Sequence, residues 1–252
     1  MSFGGGMFPP TPPAVKKLLW INVGIWLVFA LAYAAGIQPL MSLFRWLSMT
    51  PNDVVRGGVW QPLTYMFLHD PSGLGHVGWN MFALWMFGGT LERDWGTRRF
   101  MNFYIMCGVG AGLIDVVLRL LIGTSAVATV GASGAVLSVV IAFAVMYPHT
   151  PILIALILPI PAWVLAAAYT VINLLGAIGE LRRGGNPNGT AFTVHLAGIA
   201  LGYYFVRFRP KILDTDWQST FRQWQLRRSR RKFEVYMKKR DRSGGGEGPW
   251  VN

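Results

Sequence analysis

Charge is scarce in this sequence. Asp, Glu, Lys and Arg make up 13% of its 252 residues, while 53% are hydrophobic. An ordinary soluble domain carries charge on about a quarter of its residues, so the composition excludes one. Mean hydropathy is +0.40. Cysteine is nearly absent: Cys107 stands alone, which excludes an internal disulfide, and its place in an apolar block reads as inert packing. No His-Glu-x-x-His occurs, and one thiol cannot build a metal-thiolate site, so neither a metal nor another cofactor is expected. The charged segment that opens a signal peptide is also missing, so the first apolar run is expected to be retained. Acidic residues number 11 against 23 basic ones. Most of that excess lies in the C-terminal tail, which fits a cytoplasmic tail drawn to anionic lipids better than a nucleic-acid partner.

What the chain has in quantity is apolar runs of roughly twenty residues, the length that crosses about 30 Å of hydrocarbon. They predict an all-α polytopic membrane protein, a bundle of six transmembrane helices over residues 14–208. The spans fall near 15–36, 74–91, 100–122, 131–147, 152–178 and 190–208. Pro159 and Pro161 demand a kink in the fifth, or a later start. Residues 1–13 are Gly/Pro-rich and expected to be disordered. The half-apolar stretch 37–58 reads as short interfacial helices, with Thr50-Pro51-Asn52-Asp53 as a helix start. A polar turn over 92–99 separates the second and third spans. Residues 209–252 form a basic tail; its part over 216–242 is a solvated helix or one lying on the inner leaflet, and its end is disordered. With the N-terminus inside, 18 basic residues fall on the inner side and 5 on the outer, which predicts cytoplasmic termini.

That orientation gathers the polar residues of three spans into one layer near the outer face. Ser133 opens the fourth, between Gly131 and Gly134, which leave the backbone beside the hydroxyl bare. His195 lies at similar depth in the sixth, and His76 with Asn80 in the second. Serine is a weak nucleophile without a base, and histidine is the usual base. His76 and Asn80, four apart, share one helix face and can donate to a developing oxyanion. Gly198 and Gly202 follow His195 at the four-residue spacing that lets transmembrane helices pack closely.

These motifs resemble the rhomboid family of intramembrane serine proteases. Gly131-Ala132-Ser133-Gly134 is similar to its GxSG, His195 through Gly202 to its HxxGxxxG, and His76 through Asn80 to its HxxxN. Gly88 through Gly96 resembles the turn leaving the second helix. The resemblance covers about Val15 to Phe208 and implies a six-helix rhomboid-like bundle. It implies a Ser133–His195 dyad without an acidic third member, His76, Asn80 and backbone N–H groups as oxyanion donors, and a water-filled cavity. It further implies single-span membrane-protein substrates entering sideways near the second and fifth spans, a bilayer-embedded first loop, and a bacterial inner membrane with the site opening to the outer face. One departure is Leu137, where many relatives carry an aromatic residue that stacks on the histidine.

Plainer readings stand beside these. An isolated serine in a membrane helix usually bonds back to its own backbone, the reading given to Ser125 and Ser138. A membrane histidine can ligate haem, and His76 with Asn80 can merely glue helices. His69 and His149 read as loop or interface residues. Trp79, Phe82, Trp85 and Phe87 read as lipid-facing or packing residues. Asp115 and Arg119 read as an intrahelical pair, and Glu180 with Arg182 and Arg183 as an interfacial cluster. The rival functions are a catalytically silent rhomboid-like binder of transmembrane helices and a small transporter; the internal repeats expected of the latter are not found.

Overall fold

Long apolar runs satisfy their backbone polar groups internally only as helices, and helices are what this chain forms. The computed structural model describes residues 10–123, 127–154, 158–182 and 192–242. The start expected to be disordered over residues 1–13 already turns helical at Pro13. Residues 1–9, Ser125, the outer loop with Arg183 and the final segment from Ser243 lie outside the described residues. The chain divides into two compact units, one ending at Leu213 and the other beginning at Asp214.

In the first unit, α1 (Pro13–Ala34) is followed by α2 (Gln38–Leu47), α3 (Pro51–Val55) and α4 (Gln61–Thr64). Of these, α2 and α3 are the short helices expected over 37–58, whereas α4 lies beyond that stretch. Thr50 caps α3, its hydroxyl accepting from the Asp53 N–H at 3.3 Å, with Pro51 in the first turn where a missing N–H costs nothing. Next come α5 (Leu74–Ala83), a π-helical turn over Leu84–Gly88 and α6 (Gly89–Trp95), together one continuous helical stretch. The polar turn expected over 92–99 shrinks to Gly96, whose φ of +79° favours glycine. Helix α7 (Thr97–Ile122) starts at once, followed by α8 (Ser133–Met146), α9 (Ala162–Arg182) and α10 (Phe192–Phe208).

The fifth span differs from its expected bounds. Two strands, β1 (Pro151–Ile154) and β2 (Leu158–Pro161), pair antiparallel with Pro151 opposite Pro161, and α9 begins only at Ala162. Prolines at 159 and 161 deny the ladder two N–H donors but sit comfortably at a two-stranded edge. Pro161 also ends the extended segment, so the helix starts directly behind it.

The core gathers around α8. Eleven of its 14 residues are buried, and it packs against both α7 and α10. The α8–α10 seam is backbone on backbone. A Cβ at Gly198 would collide with the Gly134 carbonyl, and one at Gly202 would lie 2.7 Å from Ser138 backbone atoms. The Ser138 hydroxyl, 2.7 Å from the Gly198 carbonyl and 2.9 Å from that of Gly134, bonds across this seam as well as to its own helix. By composition and length α1, α7 and the first 18 residues of α9 suffice to cross a membrane, and α8 and α10 are shorter apolar helices.

Two buried carboxylates fasten the bundle. Glu92 on α6 accepts the Ala14 and Val15 N–H groups at 2.8 Å each and the Thr97 hydroxyl at 2.7 Å. It thereby satisfies the free donors at the start of α1 with a charge of the sign that end favours. Asp115 on α7 pairs with Arg119 at 2.9 Å, the intrahelical pair expected, and also accepts the Thr193 hydroxyl from α10.

The second unit holds α11 (Trp217–Arg242). The Asp216 carboxylate accepts the Ser219 N–H at 3.1 Å at its start. Phe221 and Trp224 stack at 5.6 Å on its exposed surface, and the Arg228 guanidinium lies 5.4 Å from the Trp224 ring.

Candidate active site

Ser133 stands at the first position of α8, and the segment leading to it is fixed on three sides. Met49 and Thr129 exchange backbone hydrogen bonds of 3.1 and 2.8 Å; the Gly131 N–H donates to the Tyr65 carbonyl at 2.9 Å. The Ala132 N–H points at His69 Nε2 from 3.5 Å. Gly131 has φ +123°, and a Cβ there would lie 2.6 Å from His76 Nε2. Backbone conformation and the nearness of that imidazole therefore demand glycine independently. The oxygen of Ser133 is thus delivered by a braced loop onto the first turn of a helix, where the Ser133 N–H has no intrahelical acceptor and the helix dipole favours negative charge.

His195 reaches it from α10. Its Nε2 lies 2.7 Å from Ser133 Oγ. The register follows from the glycine seam: with Gly198 pressed on Gly134, the residue one turn earlier on α10 faces the one before Gly134 on α8. Thr193, two residues before His195, is bonded to Asp115, and Thr129, four before Ser133, has its hydroxyl 3.4 Å from the same carboxylate. One carboxylate on α7 therefore touches both approaches to the pair.

His76 and Asn80, both on α5, line the same cavity as Ser133 and His195. The Asn80 amide donates to the His76 carbonyl at 3.0 Å, which leaves its second N–H. Trp79 and Phe82, on the same helix, are exposed; Phe87 is buried and packs on Phe143. The cavity measures about 1080 Å³ and is also lined by Leu165, Tyr169 and Ile172 of α9. It is apolar along its walls and polar where the four side chains converge, the usual character of a ligand site.

Two residues here were not anticipated from sequence. His69, read as a loop residue, is fully buried, its ring 5.0 Å from that of His76. It lies in the loop before α5, where burial above all, with His76 alongside, pushes its pKa down to about 3. The ring is therefore neutral and able to accept from Ala132. Asn173 on α9 is also buried, with its Oδ1 2.7 Å from His195 Nδ1. Its signal in the sequence was an amide inside an apolar span. Leu137 packs with Ile141 and Ile199 and also lines the cavity that holds His195. His149 lies in an exposed turn, as read. Among the described residues no cluster of His, Cys, Asp and Glu able to hold a metal occurs.

Known proteins share this arrangement of sequence. The chain is 30% identical over 210 residues to Rhomboid protein 1, mitochondrial, of Saccharomyces cerevisiae, an alignment covering 81% of this chain and 55% of that protein. It is 29% identical over 118 residues to Rhomboid protease GluP of Bacillus subtilis, covering 47% of this chain and 22% of the relative. To the human Presenilin-associated rhomboid-like protein, mitochondrial, it is 26% identical over 202 residues, 79% of this chain and 49% of the relative. The chain thus spans about half, or less, of the length of these curated relatives. The Rhomboid domain family matches residues 56–210, a stretch that holds Ser133, His195, His76 and Asn80 together with α5 to α10. An apolar helical bundle with this match over more than half its length is an integral membrane protein, and it belongs to the rhomboid family.

Proposed function

We propose that this chain is an intramembrane serine protease that cleaves peptide bonds in or beside the transmembrane segments of single-span membrane proteins. The observation that carries the reading is the 2.7 Å contact between Ser133 Oγ and His195 Nε2 on the wall of an open cavity. The Ser133 proton passes to Nε2 as the oxygen attacks the scissile carbonyl carbon, forming a tetrahedral intermediate whose oxygen carries the negative charge. The Ser133 N–H, His76 and the remaining N–H of Asn80 face that charge. The imidazolium then returns its proton to the departing amine as the C–N bond breaks, leaving an acyl-Ser133 ester. Water, deprotonated by the same nitrogen, hydrolyses the ester and restores the serine.

The short length of α8 suits this task. Fourteen residues rise only about 21 Å, less than the roughly 30 Å hydrocarbon layer. A helix surrounded by α7 and α10 need not span that layer itself, so its first residue can sit below the membrane surface while water fills the cavity above. In this reading six helical segments cross the membrane, residues 14–208 form the protease core and 209–252 a basic tail. Both termini are cytoplasmic in a bacterial inner membrane, and the cavity opens to the outer face.

A fluorophosphonate probe tests the proposal on the full chain in detergent. Covalent labelling at Ser133, lost in Ser133→Ala and in His195→Ala, is the expected result, along with cleavage of a transmembrane reporter. A wild-type chain that neither labels nor cleaves would leave the silent, helix-binding reading in its place.

A further inference from the structure

A base that must receive a proton on Nε2 has to carry its other proton on Nδ1, so something must select that tautomer. Asn173 is placed to select it. Its Nδ2 lies 2.8 Å from the Tyr169 carbonyl on the preceding turn of α9. A backbone carbonyl only accepts, so the amide nitrogen must point there and Oδ1 must point the other way. That oxygen lies 2.7 Å from His195 Nδ1. An amide oxygen also only accepts, so Nδ1 must bear the hydrogen. Nε2 is then bare and faces the Ser133 hydroxyl at 2.7 Å. The orientation is thus dictated through three hydrogen bonds from a helix carbonyl to the serine.

We propose that Asn173 is the positioning residue of the site, holding His195 in its Nδ1–H tautomer and in line with Ser133. The inference rests on the protease reading above and deepens it: the pair works as a Ser133–His195–Asn173 set with a neutral third member. Three observations support the assignment. Asn173 is only 4% exposed and belongs, with Ala162 and Ala177, to the inward face of a helix that is otherwise largely exposed. No aromatic ring covers the histidine at position 137, since Leu137 packs among aliphatic side chains. Phe192 meets the His195 ring edge-on at 6.3 Å, too distant to fix a tautomer. Neutrality also suits the location: an amide accepts the Nδ1 proton without the heavy desolvation cost of a carboxylate in an apolar surrounding.

The test uses the full chain in detergent or bilayers, with a transmembrane reporter and the fluorophosphonate probe. Asn173→Leu keeps the volume and removes the acceptor, and should lower kcat by roughly 10²-fold with KM within about twofold; loss of an orienting partner costs up to about 10⁴ elsewhere. Asn173→Asp restores an oxygen facing Nδ1 and should recover most of that loss. Thr170→Val, one turn away, where the hydroxyl bonds the Ala166 carbonyl of its own helix, should match wild type. The ¹⁵N spectrum of histidine-labelled wild-type protein, assigned by comparison with His195→Gln, should show Nδ1–H at His195. If Asn173→Leu does not fold, that spectrum decides alone: an Nε2–H tautomer in the resting wild type overturns the proposal. Wild-type kcat in a folded Asn173→Leu overturns it too. A wild-type chain with no labelling and no cleavage would instead remove the protease reading, an outcome separable from either of these.

Discussion

The two sides of the site are built in opposite ways. On one side α8 and α10 press backbone to backbone, so closely that a single Cβ at Gly198 has nowhere to go. On the other, α5 and α9 stand apart across a cavity of about 1080 Å³ and turn exposed aromatics such as Trp79, Phe82 and Tyr169 toward it or the surroundings. In the proposed protease the tight side carries the nucleophile and base, the loose side the oxyanion donors and the entrance. Proton transfer demands that two atoms stay within about 3 Å, and glycine seams supply such rigidity because no rotamer can relax there. Admitting a peptide chain demands space, and half-exposed side chains can move aside at small cost. Stiffness is therefore spent where the chemistry is, and looseness where the substrate must pass.

The largest expected effect falls on the tight side. Ser133→Ala or His195→Ala should abolish cleavage of a transmembrane reporter, a loss on the scale of about 10⁶ for groups that act as a unit. The double variant should be hardly worse than either single one. Turnover measured side by side in the three variants checks this; additive losses would mean the two residues do not work together.

Next comes the donor on the loose side. Asn80→Ala should lower kcat by about 10²–10³, the usual cost of one oxyanion donor, with KM little changed. Melting temperature separates this from the glue reading: among the described residues the Asn80 side chain bonds its own helix at His76, so stability should hardly move.

Gly198 breaks the comparison most directly, because there stability and activity should fail together. Overpacking a close contact costs about 1–3 kcal/mol, and displacing a reacting group by about 1 Å costs roughly 10²-fold. Gly198→Ala should already lower both melting temperature and turnover, since the first added carbon meets the Gly134 carbonyl. Gly24→Ala, with open space around its Cβ position on α1, should lower neither. An unaltered Gly198→Ala would show that the seam gives more readily than its backbone contacts imply.

The tight side was also the legible one. Its determinants are single residues that stand out against apolar surroundings, such as Ser133 and His195, or small residues at a fixed spacing, such as Gly198 and Gly202. What escaped the sequence depends on distance in space. Asn173 acquires its meaning from His195, 22 residues on, and only the rotation of α9 brings the amide to that ring. His69 looked like a loop residue because loops usually face water, but here the loop is packed under Ala132 and His76. The strands β1 and β2 hid in an apolar run, since a short apolar strand and a helix segment share that pattern. Their prolines were the clue.

The smallest expected effect sharpens the comparison from the loose side. Phe82 on α5 is 45% exposed and borders the cavity, so Phe82→Ala should cost little stability, within about 0.5 kcal/mol as for most exposed positions. Lipid is as apolar as the ring, so no hydrophobic penalty opposes its removal in a membrane. What changes is the width between α5 and α9. A transmembrane substrate entering there should turn over faster, by a factor of a few, whereas a small fluorophosphonate needs no such opening and should label Ser133 at the wild-type rate. The two rates measured on one preparation separate entry from chemistry. Equal acceleration of both would mean that Phe82 acts on the Ser133–His195 pair itself, and the division into a rigid side and a yielding side would fail at this residue.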